Sequence, residues 1–193
     1  MKEFSHDDIK VAVMTFAEAE PLLAREPGFK GLPDDSRLRE QLVTTLLLRR
    51  CLGDRAADSL RHDADGAPFL ADSGLNISIS HSRHEVAVGW SPTVRIGIDA
   101  ESPRPALQRV APRFLTPRER RHYTTLPHLL RAWTIKEAVY KAMHIKDLTS
   151  QQIELSCATQ SGGKDYATVG DETLTVLLHE LEGGSLLAVA IRK

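Results

Sequence analysis

Cysteine is nearly absent: the 193 residues hold two, Cys51 and Cys157. Two thiols cannot build a disulfide framework, and as ordinary buried side chains they suit a reducing, cytoplasmic compartment. Aromatic residues are scarce, at 5%. The longest apolar runs, such as residues 11–14 and 186–191, fall far short of the ~20 residues that span a bilayer. The residues after Met1 are mostly polar and charged, so no secretory leader is expected. The net charge of −1 gives no global field that would announce nucleic acid. Twelve glycines and ten prolines are too few for collagen-like or linker material. What is present is globular: 41% hydrophobic and 26% charged residues. A chain this long buries roughly 70% of its unfolded surface, so its core needs neither disulfide nor metal.

Periodicity divides the chain into two similar runs. A strand at 9–16 is followed by an irregular stretch at 17–33, broken by Pro21, Pro27, Gly28, Gly31 and Pro33. Asp35 or Ser36 caps a helix to about Leu52, with Leu38, Leu42, Leu46 and Arg49 at helical spacing and Gly53 as the stop. A short helix at 54–61 and a turn at 63–68 lead to strands at 75–80, 85–90 and 94–99. Residues 102–115 are rich in proline and arginine. Thr116-Pro117-Arg118-Glu119 reads as a helix start, and a longer helix covers 126–143. Strands follow at 152–158, 172–179 and 185–192. The order strand, helices, β-hairpin thus occurs twice. The expected architecture is α+β: a duplicated unit with a pseudo-twofold axis, split into halves 1–92 and 93–193 with no flexible linker between them.

Four groups of residues carry possible chemistry. Gly97-Ile98-Asp99-Ala100-Glu101 ends a strand, and side chains two apart point the same way. Asp99 and Glu101 therefore form either a hard-oxygen site suited to Mg²⁺ or a strand end in solvated acids. Trp133, Glu137 and Lys141 recur at i, i+4 and i+8 on one helix stripe. A Glu and a Lys four apart are a routine surface pair, yet a tryptophan on the same stripe calls for burial. Ser80-His81-Ser82 puts hydroxyls and an imidazole at a strand end, where they can hold phosphate oxygens. A serine-hydrolase reading has no G-x-S-x-G elbow, and the other histidines lack metal-ligand spacing. Glu119 completes a Thr-x-x-Glu capping box with Thr116, so it is a helix cap, a site residue or both. Arg104, Arg109, Arg113, Arg118, Arg120, Arg121 and His122 crowd one stretch, as a solvated surface or as a seat for phosphates or an acidic protein.

In sequence order, Ser-His-Ser, then Gly-Ile-Asp-x-Glu, Phe-x-Thr-x-x-Glu and Trp-Thr-x-Lys-Glu-Ala-x-x-Lys resemble the 4′-phosphopantetheinyl transferases of the larger, pseudo-dimeric surfactin-synthetase type. The resemblance implies Mg²⁺-dependent transfer of phosphopantetheine from coenzyme A to a serine of an apo acyl, polyketide or peptidyl carrier protein. Adenosine 3′,5′-bisphosphate is released. By similarity Asp99, Glu101 and Glu137 bind Mg²⁺, with Mn²⁺ as an alternative, and Glu137 takes the serine proton. Lys141 holds the pyrophosphate, Lys136 lies beside the site and Glu119 near it. Ser80, His81 and an N-terminal arginine, for which Arg37, Arg39, Arg49 and Arg50 are all candidates, contact coenzyme A. A monomer, with no nucleic acid and no membrane, is expected.

This sequence departs from that pattern. Ile77 and Ser78 replace an aromatic and an Asn before Ser-His-Ser, Ala67 stands in the usual Gly-Lys-Pro, and His144 replaces a Gly. These departures keep two alternatives open: a Mg²⁺-dependent phosphohydrolase and a non-catalytic coenzyme A-binding module.

Overall fold

The computed structural model describes residues 1–156 and 164–193. Cys157 and the end of the strand expected at 152–158 lie outside the described residues. The chain forms two compact units, Met1–Thr93 and Val94–Lys193, each an antiparallel sheet with helices.

In the first unit the strands are β1 (Lys2–His6), β2 (Ile9–Thr15), β3 (Leu60–His62), β4 (Pro68–Leu70), β5 (Asn76–His81) and β6 (Glu85–Ser91). The main sheet runs β1-β2-β6-β5, and β3 and β4 form a separate hairpin. The helices are α1 (Phe16–Leu23), α2 (Ser36–Leu52) and α3 (Asp54–Asp58). Met14, Val43, Leu47, Leu48, Val86 and Val88 make the core. Asp35 caps α2 as expected, its carboxylate accepting from Leu38 N–H at 2.8 Å. The buried stripe differs from the expected one. Val43, Thr44, Leu47 and Leu48 face the sheet, while Leu38 and Leu42 are exposed. Helix α1 replaces the irregular stretch expected after residue 16. Thr15 and Glu18 form a capping box that starts it despite Pro21.

The second unit has β7 (Arg95–Glu101), β8 (Ile153–Leu155), β9 (Lys164–Val169), β10 (Glu172–Glu180) and β11 (Leu186–Arg192), ordered β7-β11-β10-β9-β8. Its helices are α4 (Ala106–Phe114) and α5 (Leu126–Met143). Residues 102–115 are thus partly helical, because Leu107, Ala111 and Phe114 bury one face of α4. The helix expected from Thr116 is only one 3₁₀ turn, Glu119–Arg121. Phe114, Leu129, Ile135, Val139, Ile153 and Val176 belong to the core over which α5 lies.

Helix α5 has the expected bounds. Thr125 accepts from His128 N–H at its start, and Pro127 occupies the first turn, where a missing N–H costs nothing. His144 ends the helix in the left-handed conformation, φ 48° and ψ 44°. That backbone favours glycine and strains any Cβ. His144→Gly is therefore expected to stabilise the protein by up to about 1 kcal/mol, read as a higher urea midpoint with unchanged slope.

Candidate active site

Strand β7 and helix α5 build the candidate site. Residues 97, 99 and 101 share one face of β7, and all three meet α5. Gly97 lies under the helix backbone: a Cβ placed there would sit 2.0 Å from Ala138 O and 2.3 Å from Ala142 N. Two residues along, Asp99 Oδ1 accepts from Lys141 Nζ at 2.8 Å, and the same ammonium donates to Ile98 O at 3.0 Å. Two further, Glu101 Oε1 accepts from Trp133 Nε1 at 2.7 Å and from an Arg104 nitrogen at 3.2 Å. The Trp133 ring packs edge-on against Phe114, centroids 5.1 Å apart. Tryptophan, glutamate and lysine at i, i+4 and i+8 thus lie along β7, and the surface-pair reading of Glu137 and Lys141 fails because Lys141 pairs with Asp99.

The electrostatics follow from this crowding. Burial first, then Asp99 and Glu101, push the Glu137 carboxyl up to about 7, with Lys141 opposing. Burial and the Asp99 charge also raise Glu101, against the Trp133 hydrogen bond and the Arg104 and Lys141 charges. Asp99 is buried, whereas Glu101 and Glu137 are half-buried. Among the described residues no three His, Cys, Asp or Glu side chains are arranged to hold a metal ion by themselves. Asp99, Glu101 and Glu137 therefore do not form a closed protein cage. They do fit a hard divalent cation that takes one or two carboxylates and completes its shell with substrate oxygens. The two raised carboxyls are the sign of negative charge that such a cation relieves.

Two residues expected beside the reacting groups are placed elsewhere. Lys136 follows Trp133 by three residues but precedes Glu137 by one, which turns it about 100° round the helix. It is fully buried, and its ammonium donates to Glu119 Oε2 at 2.8 Å, Ser150 O at 2.9 Å and Ile153 O at 2.7 Å. Glu119, also buried, accepts in addition from Thr116 N–H and Leu155 N–H, each at 2.8 Å. Glu119 N–H donates to Thr116 Oγ1 at 3.2 Å, completing the box. A buried, hydrogen-bonded ion pair of this kind fixes α5 against β8 and the 3₁₀ turn, and neither member reaches solvent.

The residues expected to contact coenzyme A lie in the first unit. Ser80 is buried near the end of β5, and His81 is exposed with its Nδ1 3.4 Å from a Glu40 carboxylate oxygen. Arg49 stands nine residues beyond Glu40 on α2, roughly 13 Å along the helix, and pairs with Asp54 and Asp58 at 3.5 and 3.7 Å. It does not join His81. Arg39, next to Glu40, lies over the Phe16 ring at 5.0 Å. Ala67 sits in the β3–β4 turn, where its N–H donates to Asp63 Oδ1 at 2.9 Å.

Sequence reasoning missed Gly97 and Arg104 as parts of the site. Both act through contacts distant in sequence, and only the small Ala138 and Ala142 at i, i+4 hinted at a close approach.

Fold and site together define an enzyme-like centre of carboxylates and a lysine between an edge strand and its covering helix. Residues 95–190 match the model of the 4′-phosphopantetheinyl transferase superfamily, so this part of the chain is similar to that superfamily. Asp99, Glu101, Glu137 and Lys141 all fall inside it. The chain is also 35% identical, over 107 residues, to the 4′-phosphopantetheinyl transferase HetI of Nostoc sp. (strain PCC 7120 / SAG 25.82 / UTEX 2576). That stretch covers 49% of this chain and 45% of that protein.

Proposed function

We propose that the chain transfers the 4′-phosphopantetheine group of coenzyme A to a serine hydroxyl of an apo acyl, polyketide or peptidyl carrier protein. The observation that carries this reading is the convergence of Glu137 and Lys141 of α5 on Asp99 and Glu101 of β7, inside the matched superfamily stretch. In the step, the serine oxygen bonds to the phosphorus that bears pantetheine. The bond from that phosphorus to the bridging oxygen breaks, and adenosine 3′,5′-bisphosphate leaves. The Glu137 carboxyl accepts no hydrogen bond from a described residue and lies against Asp99, Glu101 and Lys141; beside a cation it would be ionised and able to take the serine proton. Lys141, already aimed at Asp99, holds charge on the pyrophosphate oxygens. Asp99, Glu101 and Glu137 would hold a divalent cation such as Mg²⁺, which would supply neutralisation of the pyrophosphate charge. Lys136 and Glu119 act on this chemistry by holding α5 in place.

The first unit supplies coenzyme A contacts through Ser80 and His81 in this reading. We also infer an internal duplication. Strands β2-β6-β5 and β7-β11-β10 repeat one antiparallel order, with α2 packed on β2 and β6 and α5 on β7 and β11. A chain that contains both copies works as a monomer. No helix among the described residues is long and apolar enough to cross a membrane.

Release of adenosine 3′,5′-bisphosphate tests the reading. It is expected only with coenzyme A, apo carrier and a divalent cation together, and to cease with chelator. Nucleotide breakdown without carrier would instead identify a phosphohydrolase, and coenzyme A binding with no product a non-catalytic module.

Carrier proteins of these pathways are acidic, and Arg109, Arg113, Arg118, Arg120 and Arg121 are all exposed in the second unit. Surface charges of this kind mostly steer association and are screened beyond ~8 Å at physiological salt. Reversing Arg120 and Arg121 to Glu is expected to raise the carrier KM about ten-fold at low salt and to leave the coenzyme A KM unchanged. The difference should shrink as salt is added; an unchanged carrier KM at low salt removes this patch from the docking surface.

A further inference from the structure

Arg104 closes a triangle that the superfamily reading does not explain. Its guanidinium donates to Glu101 Oε1 at 3.2 Å and lies over the Trp133 ring, 5.5 Å from the centroid. Trp133 Nε1 donates to the same Oε1 at 2.7 Å. Carboxylate, indole edge and guanidinium thus hold one another in pairs. Both donors fall on Oε1, and Oε2 takes no hydrogen bond from a described residue. One oxygen is committed to the protein, and the other is left for a further ligand, on a carboxylate whose charge acts on Asp99 and Glu137. Trp133 has a second duty in the core against Phe114, so its loss would confound packing with placement. Arg104 is 48% exposed and makes no core contact of that kind.

We propose that Arg104 is a positioning residue: it locks Glu101 and Trp133 so that Glu101 Oε2 faces the divalent cation of the proposed reaction. The inference rests on the transferase reading for the identity of that cation's role, but not for its binding. Two effects compete when Arg104 is removed. Losing a nearby positive charge tightens a cation site. Arg104 itself is about half exposed, however, and solvent screens such a charge. Losing the group that orients a ligand weakens metal affinity by as much as 10–100-fold in well-ordered sites. Orientation wins, at the low end of that range because Arg104 is half in solvent.

The test uses the full chain with Trp90→Phe, which leaves Trp133 as the single tryptophan, and compares Arg104 with Arg104→Ala, Arg104→Gln and Arg104→Lys. Mn²⁺ affinity is measured by electron paramagnetic resonance without substrates, and acrylamide quenching of Trp133 is measured without metal. Arg104→Ala is expected to bind Mn²⁺ about 3–10-fold more weakly and to expose Trp133 to quencher. Arg104→Gln keeps a donor for Oε1 without the charge and should recover most of the affinity. A purely electrostatic role predicts the reverse, with Ala and Gln both binding Mn²⁺ more tightly than Arg. Equal or tighter binding by Arg104→Ala overturns the proposal, as does a wild type that binds no Mn²⁺. A wild type that binds Mn²⁺ but modifies no carrier overturns the transferase reading instead, and the titrations still decide Arg104.

Discussion

Gly97→Ala is expected to slow transfer about 10²-fold and to cost about 3 kcal/mol of stability, at the upper end of the usual overpacking range. A methyl group there meets Ala138 O at 2.0 Å, Ala142 N at 2.3 Å and Ala142 Cα at 3.0 Å. All three are backbone atoms of α5, so no side-chain rotation relieves the clash. The helix must rise from β7 by more than 1 Å, and Glu137 and Lys141 move with it while Asp99 and Glu101 stay. A misplacement of that size costs about 10²-fold in rate. Steady-state transfer and urea unfolding together check this. Near-normal activity in a folded Gly97→Ala protein would mean that the β7–α5 spacing does not set the reaction geometry.

Glu137→Gln separates activity from stability. The amide cannot take the serine proton, so kcat is expected to fall at least ~10²-fold, with the coenzyme A KM nearly unchanged. Lys141→Ala should also raise that KM, because the ammonium meets charge present before the reaction begins. The stability effect has the opposite sense. In the metal-free protein the Glu137 carboxyl is raised from 4.5 to about 7. A raised acid favours folding while protonated. Its contribution is fully present below the unfolded value and is lost as pH rises through the folded one. Wild type in chelator is therefore expected to lose melting temperature between about pH 4.5 and 7, and Glu137→Gln, which carries no charge to bury, should lose less. Identical pH profiles would place Glu137 in solvent rather than in the carboxylate cluster.

Caps and periodicity made much of the fold legible. Helix α5 was readable because Thr125, Pro127 and an amphipathic stretch agree, and α2 because Asp35 and Gly53 bracket it. The face of α2 was misread. Leu38 and Leu42 keep helical spacing yet stay exposed, since spacing fixes a stripe but not which stripe meets the sheet. Helix α1 was hidden by Pro21, and β1 by the polar side chains of a sheet-edge strand, Lys2, Glu3, Ser5 and His6.

The same division holds at the site. Asp99, Glu101, Glu137 and Lys141 were visible because strand and helix periods align them. The roles of Gly97 and Arg104 depend on what another element places beside them, which no local pattern encodes. Lys136 and Glu119 show the reverse error. The family resemblance placed both beside the reacting groups, whereas the 100° turn per residue sends Lys136 into the core to meet Glu119.

Intact mass spectrometry of an apo carrier protein is the decisive measurement. The carrier is incubated with this protein, coenzyme A and Mg²⁺, beside a carrier whose acceptor serine is changed to alanine. One phosphopantetheine added to the serine carrier, none to the alanine carrier and none with Asp99→Ala enzyme is the predicted result. An unmodified serine carrier, with coenzyme A intact and Mg²⁺ saturating, would contradict phosphopantetheine transfer as the activity of this chain.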